Sequence, residues 1–384
     1  MFHEIKNLKK AAKRIKQAVK NQERIIIFAD ADLDGTTSTV ILEETIKNIG
    51  GGVFLVYFPN RDEEGYGLSE QALNSFKEQT PALLIVLDCG IGSFEGVFAA
   101  SQAGLEVIII DHHEILDKLP SPALIVDPKQ PKDNYPFKKL TTVSIVYKLS
   151  QELLGTKMFL PLQKSFFELA ALGTIADMMP EEDYNKKVIE GGLAFLLETF
   201  RPGLFAMISL IKKEGDTTRQ IFQKLSSVLN ITGMKGRLTE SYLLFQEKEP
   251  VKARQLSEFL IEESEKRQLR IQDIVSEIQQ RIEKKGEACS VFEGSQTWEQ
   301  LLTGPVASRI CNRLGKPTFI FKIGKEKCRG SVRMPHKMDA VVALKACSAF
   351  LEVYGGHPPA AGFTTSKDKI EGLEKCLEEY FKQN

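Results

Sequence analysis

Four short apolar runs in the first third of the chain, RIIIFA (24–29), VFLVYF (53–58), ALLIVL (82–87) and LEVIII (105–110), constrain its fold more than any other feature. They are nearly continuous in apolar residues, so strands built from them must be covered on both faces. The segments between them read as helices: TTSTVILEETIKNIG closes on a glycine, and LSEQALNSFKEQ and SFEGVFAASQAG carry apolar residues at helical spacing. Strand alternating with helix predicts an α/β architecture on a parallel sheet.

After residue 140 the pattern turns helical, through LTTVSIVYKLSQELLG, LPLQKSFFELAALGTIAD and NKKVIEGGLAFLLETF. Pro250 to Lys285 has no internal glycine or proline and spaces its apolar residues by three and four, which predicts one long helix. Past Gly286 come short strand-like runs, KPTFIFKIG and RGSVRM, and a glycine–proline cluster, YGGHPPAAGF. With 384 residues to place, the expected organisation is a parallel-sheet domain over 1–249, a connecting helix over 250–285 and a smaller α/β domain over 286–384.

Composition narrows the setting. Hydrophobic residues make up 42% and charged residues 27%, as in a globular protein with real cores. Fifty-one basic and 51 acidic side chains cancel, so a nucleic-acid partner would need a local positive groove. The cysteines, Cys89, Cys289, Cys311, Cys328, Cys347 and Cys376, show no paired spacing, which argues against a zinc knuckle or disulfide framework and for a reducing cytoplasm. No apolar run approaches the ~20 residues of a membrane span. The basic N-terminal stretch places Ile5, Leu8, Ala12, Ile15 and Val19 at helical spacing and reads as a packing helix, not a membrane contact.

The first run leads into DADLDG, residues 30–35, which matches the opening of an EF-hand loop. That loop needs a glutamate at its twelfth position, where Ile41 stands, and a helix before it, where a strand is expected. An acidic surface turn is the plainer alternative, but other strands end in the same way. The third run ends in Asp88, and the fourth in Asp111, His112 and His113. In an open parallel sheet ligands bind outside the carboxyl ends of the strands. Carboxylates crowded there repel one another unless cations intervene, and carboxylates with a histidine suit Mn²⁺ or Mg²⁺. Two cations sharing one aspartate would suit in-line attack at phosphorus.

DADLDG, LDCG, DHH and ALGTIAD, in that order, resemble the four motifs of the DHH phosphoesterases. PNRDEEGYGL (59–68), DNYPFKKL (133–140), ALGTIADMMP (171–180), RPGL (201–204) and GGHPPAAGF (355–363) are similar to the RecJ branch, the single-strand-specific exonucleases. The resemblance implies a DHH catalytic domain and a smaller α/β DHHA1-like substrate domain with a cleft between them, and two divalent cations, Mn²⁺ or Mg²⁺. It implies that Asp32 and Asp34 each bind one cation with Asp30 beside them, that Asp88 bridges, and that His112 and Asp177 complete the set. Asp111 and His113 would orient that shell or meet the scissile phosphate, which makes Asp88, Asp111, His112 and His113 the catalytic group.

In the second domain the resemblance marks Arg309, Ser331, Arg333, Gly355, Gly356 and His357 for the substrate, with Arg237 from the first. Guanidiniums pair bidentately with phosphate oxygens, and glycines let the backbone approach a ligand. Tyr66, Phe137 and Trp298 are candidates for stacking bases, though each reads more readily as a packing residue. The implied activity is release of mononucleotides from single-stranded DNA or RNA, 5′→3′, in the cytoplasm and away from membranes, with a partner role toward a replication or repair protein left open. The alternative is a phosphodiesterase or phosphatase for short oligonucleotides or small nucleotides (nano-RNA, dinucleotides, pAp). A catalytically retired scaffold is disfavoured, because all six implied ligand positions are filled.

Departures from relatives stand at Gly233, Met234 and Lys235 within TGMKGRL (232–238), at Thr142 and Ser144 where glycines are common, and at Ser264 in place of an asparagine. The sequence stops soon after AAGF, without room for the OB-fold of larger relatives, which favours shorter oligonucleotides or RNA.

Overall fold

The computed structural model describes residues 4–383 apart from 62, 116–117, 231–232 and 286–287. Thr232 of the TGMKGRL stretch and Gly286, where the composition changes, lie outside the described residues. The chain divides into two compact units, Met1–Ser264 and Glu265–Asn384. The division falls inside the long helix, not at either of its ends.

The first unit opens with helix α1 (Leu8–Lys20), whose Leu8, Ala12 and Ile15 are buried while its lysines face outward, a packing helix as its spacing predicts. Strands β1 (Arg24–Ala29), β2 (Leu55–Tyr57), β3 (Ala82–Leu87), β4 (Leu105–Ile110) and β5 (Leu124–Val126) form one sheet in the order β2-β1-β3-β4-β5, every pair parallel. Helices α2 (Leu33–Asn48), α3 (Glu70–Phe76) and α4 (Phe94–Gln102) follow the first three strands. Successive residues serve opposite faces. Ile25, Ile27, Leu83, Ile85 and Ile108 join a core with α1 and α2, whereas Ile26, Phe28, Leu84, Val86 and Ile109 pack with Ala72, Leu73 and Phe76 of α3 and Val97 and Ala100 of α4. Each such fully buried side chain contributes roughly 1.5–3 kcal/mol, so two-sided burial holds the sheet.

Three apolar runs form strands with the expected bounds. The 53–58 run contracts to Leu55–Tyr57: Phe54 is exposed under the Arg24 guanidinium, and Phe58 N bonds Arg237 O outside the ladder. β5, three residues long, was not expected, being too short to carry a periodic signal.

Helices α5 (Thr142–Leu154), α6 (Leu160–Ala176), α7 (Asp183–Phe195), α8 (Pro202–Ile211), α9 (Thr218–Leu229) and α10 (Glu240–Gln246) complete the unit, with a small antiparallel ladder of β6 (Met234–Lys235) and β7 (Leu238–Thr239) around Gly236. Among the described residues no single helix is long and apolar enough to cross a membrane. The bent pair Asp183–Glu198 and Pro202–Ile211 passes that test only together, and Val188, Leu196, Leu204 and Met207 from it lie in the core.

Helix α11 (Pro250–Lys285) runs unbroken for 36 residues, as its spacing predicts. Leu260 is buried in the first unit, and Ile271, Ile274 and Ile278 in the second.

The second unit is a five-stranded mixed sheet of β8 (Val291–Ser295), β9 (Thr318–Ile323), β10 (Lys327–Arg333), β11 (Val353–His357) and β12 (Ala360–Ser366), ordered β11-β12-β10-β9-β8. Of its strand pairs, β8 and β9 run parallel and the others antiparallel. Helices α12 (Gln300–Leu314), α13 (Ala340–Ala346) and α14 (Ile370–Gln383) pack on it. One expectation is corrected here: Cys347 and Cys376 form a disulfide. They lie 29 residues apart, and Leu344, Leu373 and Leu377 bring their helices together in one core, a pairing that spacing does not reveal.

Candidate metal centre and substrate-binding residues

Strand order reverses between β1 and β3, because β2 lies on one side of β1 and β3 on the other. At that switch point Asp30 follows β1, Asp88 follows β3 and Asp111 follows β4. The parallel ladder brings their Cα positions into line, Ala29 opposite Leu87 and Leu87 opposite Ile110. Two helix ends add the remaining groups: Asp32 is the N-cap of α2 with Asp34 in its first turn, and Asp177 caps the C-terminus of α6.

The glycine of DADLDG is required by contact. A Cβ on Gly35 would stand 2.2 Å from Asp30 O, so only glycine lets the first turn of α2 press against the end of β1. Asp32 Oδ1 accepts from Gly35 N at 3.0 Å, a normal N-cap bond. Asp34 is buried, and its carboxylate accepts from Thr142 N at 2.9 Å and Val143 N at 2.8 Å, the free amides at the start of α5. Asp88 has φ of 60°, a left-handed backbone uncommon outside glycine, and Oδ1 accepts from Thr142 Oγ1 at 3.0 Å.

Around His112 Nε2 stand Asp88 Oδ1 at 3.4 Å, Asp177 Oδ2 at 3.5 Å and Asp34 Oδ2 at 3.8 Å. Asp34, His112 and Asp177 can place one ligand atom each within 4.8 Å of the others, and so can Asp30, Asp32 and Asp88. Asp88 thus belongs to the second group and touches the first. Asp30 is also held by Arg61: Nε donates to Oδ1 at 2.6 Å, Nη2 donates to Oδ2, and Nη2 lies 3.2 Å from Asp32 Oδ2.

Electrostatics set the acids apart from an ordinary surface. Burial, with the charges of Asp34 and Asp32, pushes Asp88 well above the usual carboxyl range. Burial with Asp177 and Asp32 does the same for Asp34. Burial and Asp32 raise Asp177 to about 7, and Asp30 rises by burial against the opposing pull of Arg61. The buried Asp177 Oδ2 accepts no hydrogen bond from the described residues. A divalent cation would relieve burial and repulsion together, so the residues fit the group. Burial and the neighbouring His113 hold the His112 imidazole well below its usual range, in the neutral form that binds metals.

Asp111 does different work. It accepts from His112 N at 2.7 Å, His113 N at 3.2 Å and Ile91 N at 3.1 Å, and its Oδ1 lies 2.7 Å from His113 Nδ1. Burial alone would raise Asp111, but His113 draws it down to about 2. Asp111 in turn, against burial, raises His113 to about 9. Asp111 therefore orients, and His113 presents a cationic ring, with Tyr66 OH 3.4 Å away and itself donating to Asp88 O at 3.1 Å.

Arg237 stacks over the Tyr57 ring at 4.9 Å and donates to Glu64 Oε1 at 2.8 Å. In the second unit Ser331 and Arg333 point to the same face of β10, toward Gly304 of α12. There Ser331 Oγ lies 2.9 Å from Thr303 Oγ1, and Arg333 Nε donates to Ser308 Oγ at 3.0 Å. Arg309 is exposed on α12 and bonds Gln268 Oε1. Gly355, Gly356 and His357 lie on β11, opposite Gly362, Ala361 and Ala360. Gly356 has φ of 139° and no room for a Cβ, whereas Gly355 faces open space. Trp298 is a packing residue: it is buried, and its Nε1 donates to Glu277 Oε2 at 3.1 Å. Phe137 packs half-buried on the core, and Tyr66 is exposed.

Sequence reading missed Arg61 and Thr142 as site residues. Arg61 lay within PNRDEEGYGL, and its charge was the available signal. Thr142 was visible only as a departure from glycine, and nothing local ties it to Asp34 or Asp88.

The sequence matches the DHH family, N-terminal domain, over residues 24–174 and the DHHA1 domain over residues 286–383. With its parallel sheet and acidic edge, the chain belongs to the DHH proteins. Within them it is RecJ-like. The single-stranded-DNA-specific exonuclease RecJ of Bacillus subtilis (strain 168) is 34% identical over 381 residues, covering 98% of this chain and 48% of that protein. RecJ of Thermus thermophilus is 28% identical over 376 residues, covering 98% of this chain and 54% of that protein. The chain thus spans about half the length of these curated relatives. A crystal structure of exonuclease RecJ bound to manganese superposes with a TM-score of 0.79 at 26% identity, over 99% of this chain and 96% of that one.

Proposed function

We propose that this protein is a metal-dependent exonuclease that hydrolyses single-stranded nucleic acid, DNA before RNA, and releases mononucleotides from the 5′ end. The observation that carries the reading is the group of buried aspartates around His112 Nε2, whose carboxyl pKa values are raised by burial and by one another. The likeness to a manganese-bound exonuclease over nearly the whole of both chains supports it. Asp34, His112 and Asp177 would hold one Mn²⁺ or Mg²⁺, Asp30 and Asp32 a second, and Asp88 both. When bound, these ions supply Lewis-acid polarisation at phosphorus and neutralise charge on the phosphoryl oxygens.

The remaining work falls to the chain. Asp111 keeps His113 protonated, so its ring can donate to a phosphate oxygen. Thr142 fixes the Asp88 carboxylate, and Arg61 holds Asp30 and Asp32 in place. In this reading residues 1–249 form the catalytic domain and 286–384 the substrate domain. Arg309, Ser331, Arg333, Gly355, Gly356 and His357 in the latter, with Arg237, bind the strand.

The test uses purified protein, Mn²⁺ and matched DNA and RNA 20-mers with a 5′-phosphate and a 3′-fluorophore. A ladder of shrinking labelled strands with unlabelled mononucleotides is expected, faster on DNA. Immediate release of labelled mononucleotide would reverse the polarity. Intact 20-mers beside a cleaved dinucleotide would replace the reading with a small-nucleotide phosphodiesterase.

A further inference from the structure

Arg201, the arginine of RPGL, is only 5% exposed. Its guanidinium donates to both Glu44 oxygens, each at 2.8 Å, and its Nε donates to Ser165 Oγ at 2.6 Å. Glu44 stands on α2 and Ser165 on α6, the two helices whose opposite ends carry Asp34 and Asp177. From the fork to those aspartates is about 15 Å along α2 and about 18 Å along α6. At the aspartate end the helices meet through Gly173, where a Cβ would stand 2.7 Å from Thr37 Oγ1 and 3.2 Å from Asp34 Cα. A glycine permits close approach but offers no side chain to lock one helix along the axis of the other.

We propose that Arg201 is a positioning residue: its fork between Glu44 and Ser165 sets the axial register of α2 against α6, and so the spacing of Asp34 and Asp177 about His112 for a divalent cation. The proposal rests on the metal reading of that site. A bidentate guanidinium–carboxylate pair is directional, and a lysine in its place would keep the charge and lose the fork. Packed helices behave as stiff rods, so a slip of a fraction of an ångström at one end is carried to the other.

The experiment measures Mn²⁺ binding directly, by the EPR signal of free Mn²⁺, with thermal unfolding followed in parallel. The proteins are the wild type, Arg201→Lys, Glu44→Gln and, as a control destabilised elsewhere in the same core, Ile15→Val. Arg201→Lys and Glu44→Gln are expected to fold and to weaken Mn²⁺ binding by roughly tenfold, with hydrolysis recovering as Mn²⁺ is raised. Ile15→Val should lower the melting temperature and leave Mn²⁺ affinity unchanged. Unchanged affinity in both fork variants beside a lowered melting temperature would reduce Arg201 to a structural tie and leave the metal reading intact. A wild-type protein that binds no Mn²⁺ would overturn both.

Discussion

Thr142 Oγ1 donates a 3.0 Å hydrogen bond to Asp88 Oδ1 across 54 residues of sequence. The same residue's backbone N–H binds Asp34, so the start of α5 orients two carboxylates that belong to different groups of acids. Thr142→Val keeps the shape and the amide but removes the hydroxyl. We expect Mn²⁺ affinity to fall by roughly tenfold, with a loss of stability of about 1 kcal/mol. Parallel Mn²⁺ titration and thermal melts check it, and an unchanged affinity would show that the hydroxyl does not orient Asp88.

Asp88→Asn separates repulsion from function. The asparagine fits the left-handed backbone at φ of 60° and removes a buried charge from among Asp30, Asp32 and Asp34. The metal-free variant should be more stable than the wild type at pH 8, by about 1–3 kcal/mol, while hydrolysis disappears and Mn²⁺ no longer raises the melting temperature. Wild-type rates in this variant would end the metal assignment.

Metal removal should make stability fall with pH. Asp30, Asp34, Asp88 and Asp177 have folded-state pKa values above those of the unfolded chain, Asp177 near 7. The folded state then holds more protons than the unfolded one, and the slope is negative as pH rises from about 4 through about 7. Protein kept in EDTA should melt at a higher temperature at pH 5 than at pH 8. Added Mn²⁺ should stabilise strongly at pH 8 and little at pH 5; equal gains at both would contradict the site.

His113 carries a separate window. Its pKa is raised to about 9 by Asp111, so its contribution is complete below about pH 6.5, the usual value for histidine, and is lost as pH rises through about 9. In EDTA, His113→Asn should flatten the stability curve between those values. Urea titrations at pH 6, 7.5 and 9 would reveal this.

Gly173→Ala tests the close approach at the aspartate end of α2 and α6. The new methyl would stand 2.7 Å from Thr37 Oγ1 and 2.9 Å from Val143 Cγ1, so the helices must part. A destabilisation of about 1–3 kcal/mol is expected despite the gain in helix propensity, together with weaker Mn²⁺ binding. Chemical denaturation with a matched Mn²⁺ titration measures both.

What the sequence by itself determined is what local patterning can carry. Runs 24–29, 82–87 and 105–110 are strands with the expected bounds, and 250–285 is one helix, because strand alternation, helical spacing and burial are written within a few neighbouring residues. The acids at the strand ends were legible for the same reason: a parallel sheet sends every strand's carboxyl end to one edge, so Asp30, Asp88 and Asp111 had to gather there. Tertiary structure alone decided the rest. Arg61 reaches Asp30 from 31 residues away, Thr142 reaches Asp34 from 108, and Cys347 finds Cys376 across 29. Contacts at such separations depend on how whole helices and loops settle against the sheet, and no periodicity in the chain records that. The contraction of the 53–58 run has the same origin, since Phe58 leaves the ladder for the carbonyl of Arg237. Local sequence chose the elements and placed their acids at one edge, and long-range packing chose the partners that hold those acids in place.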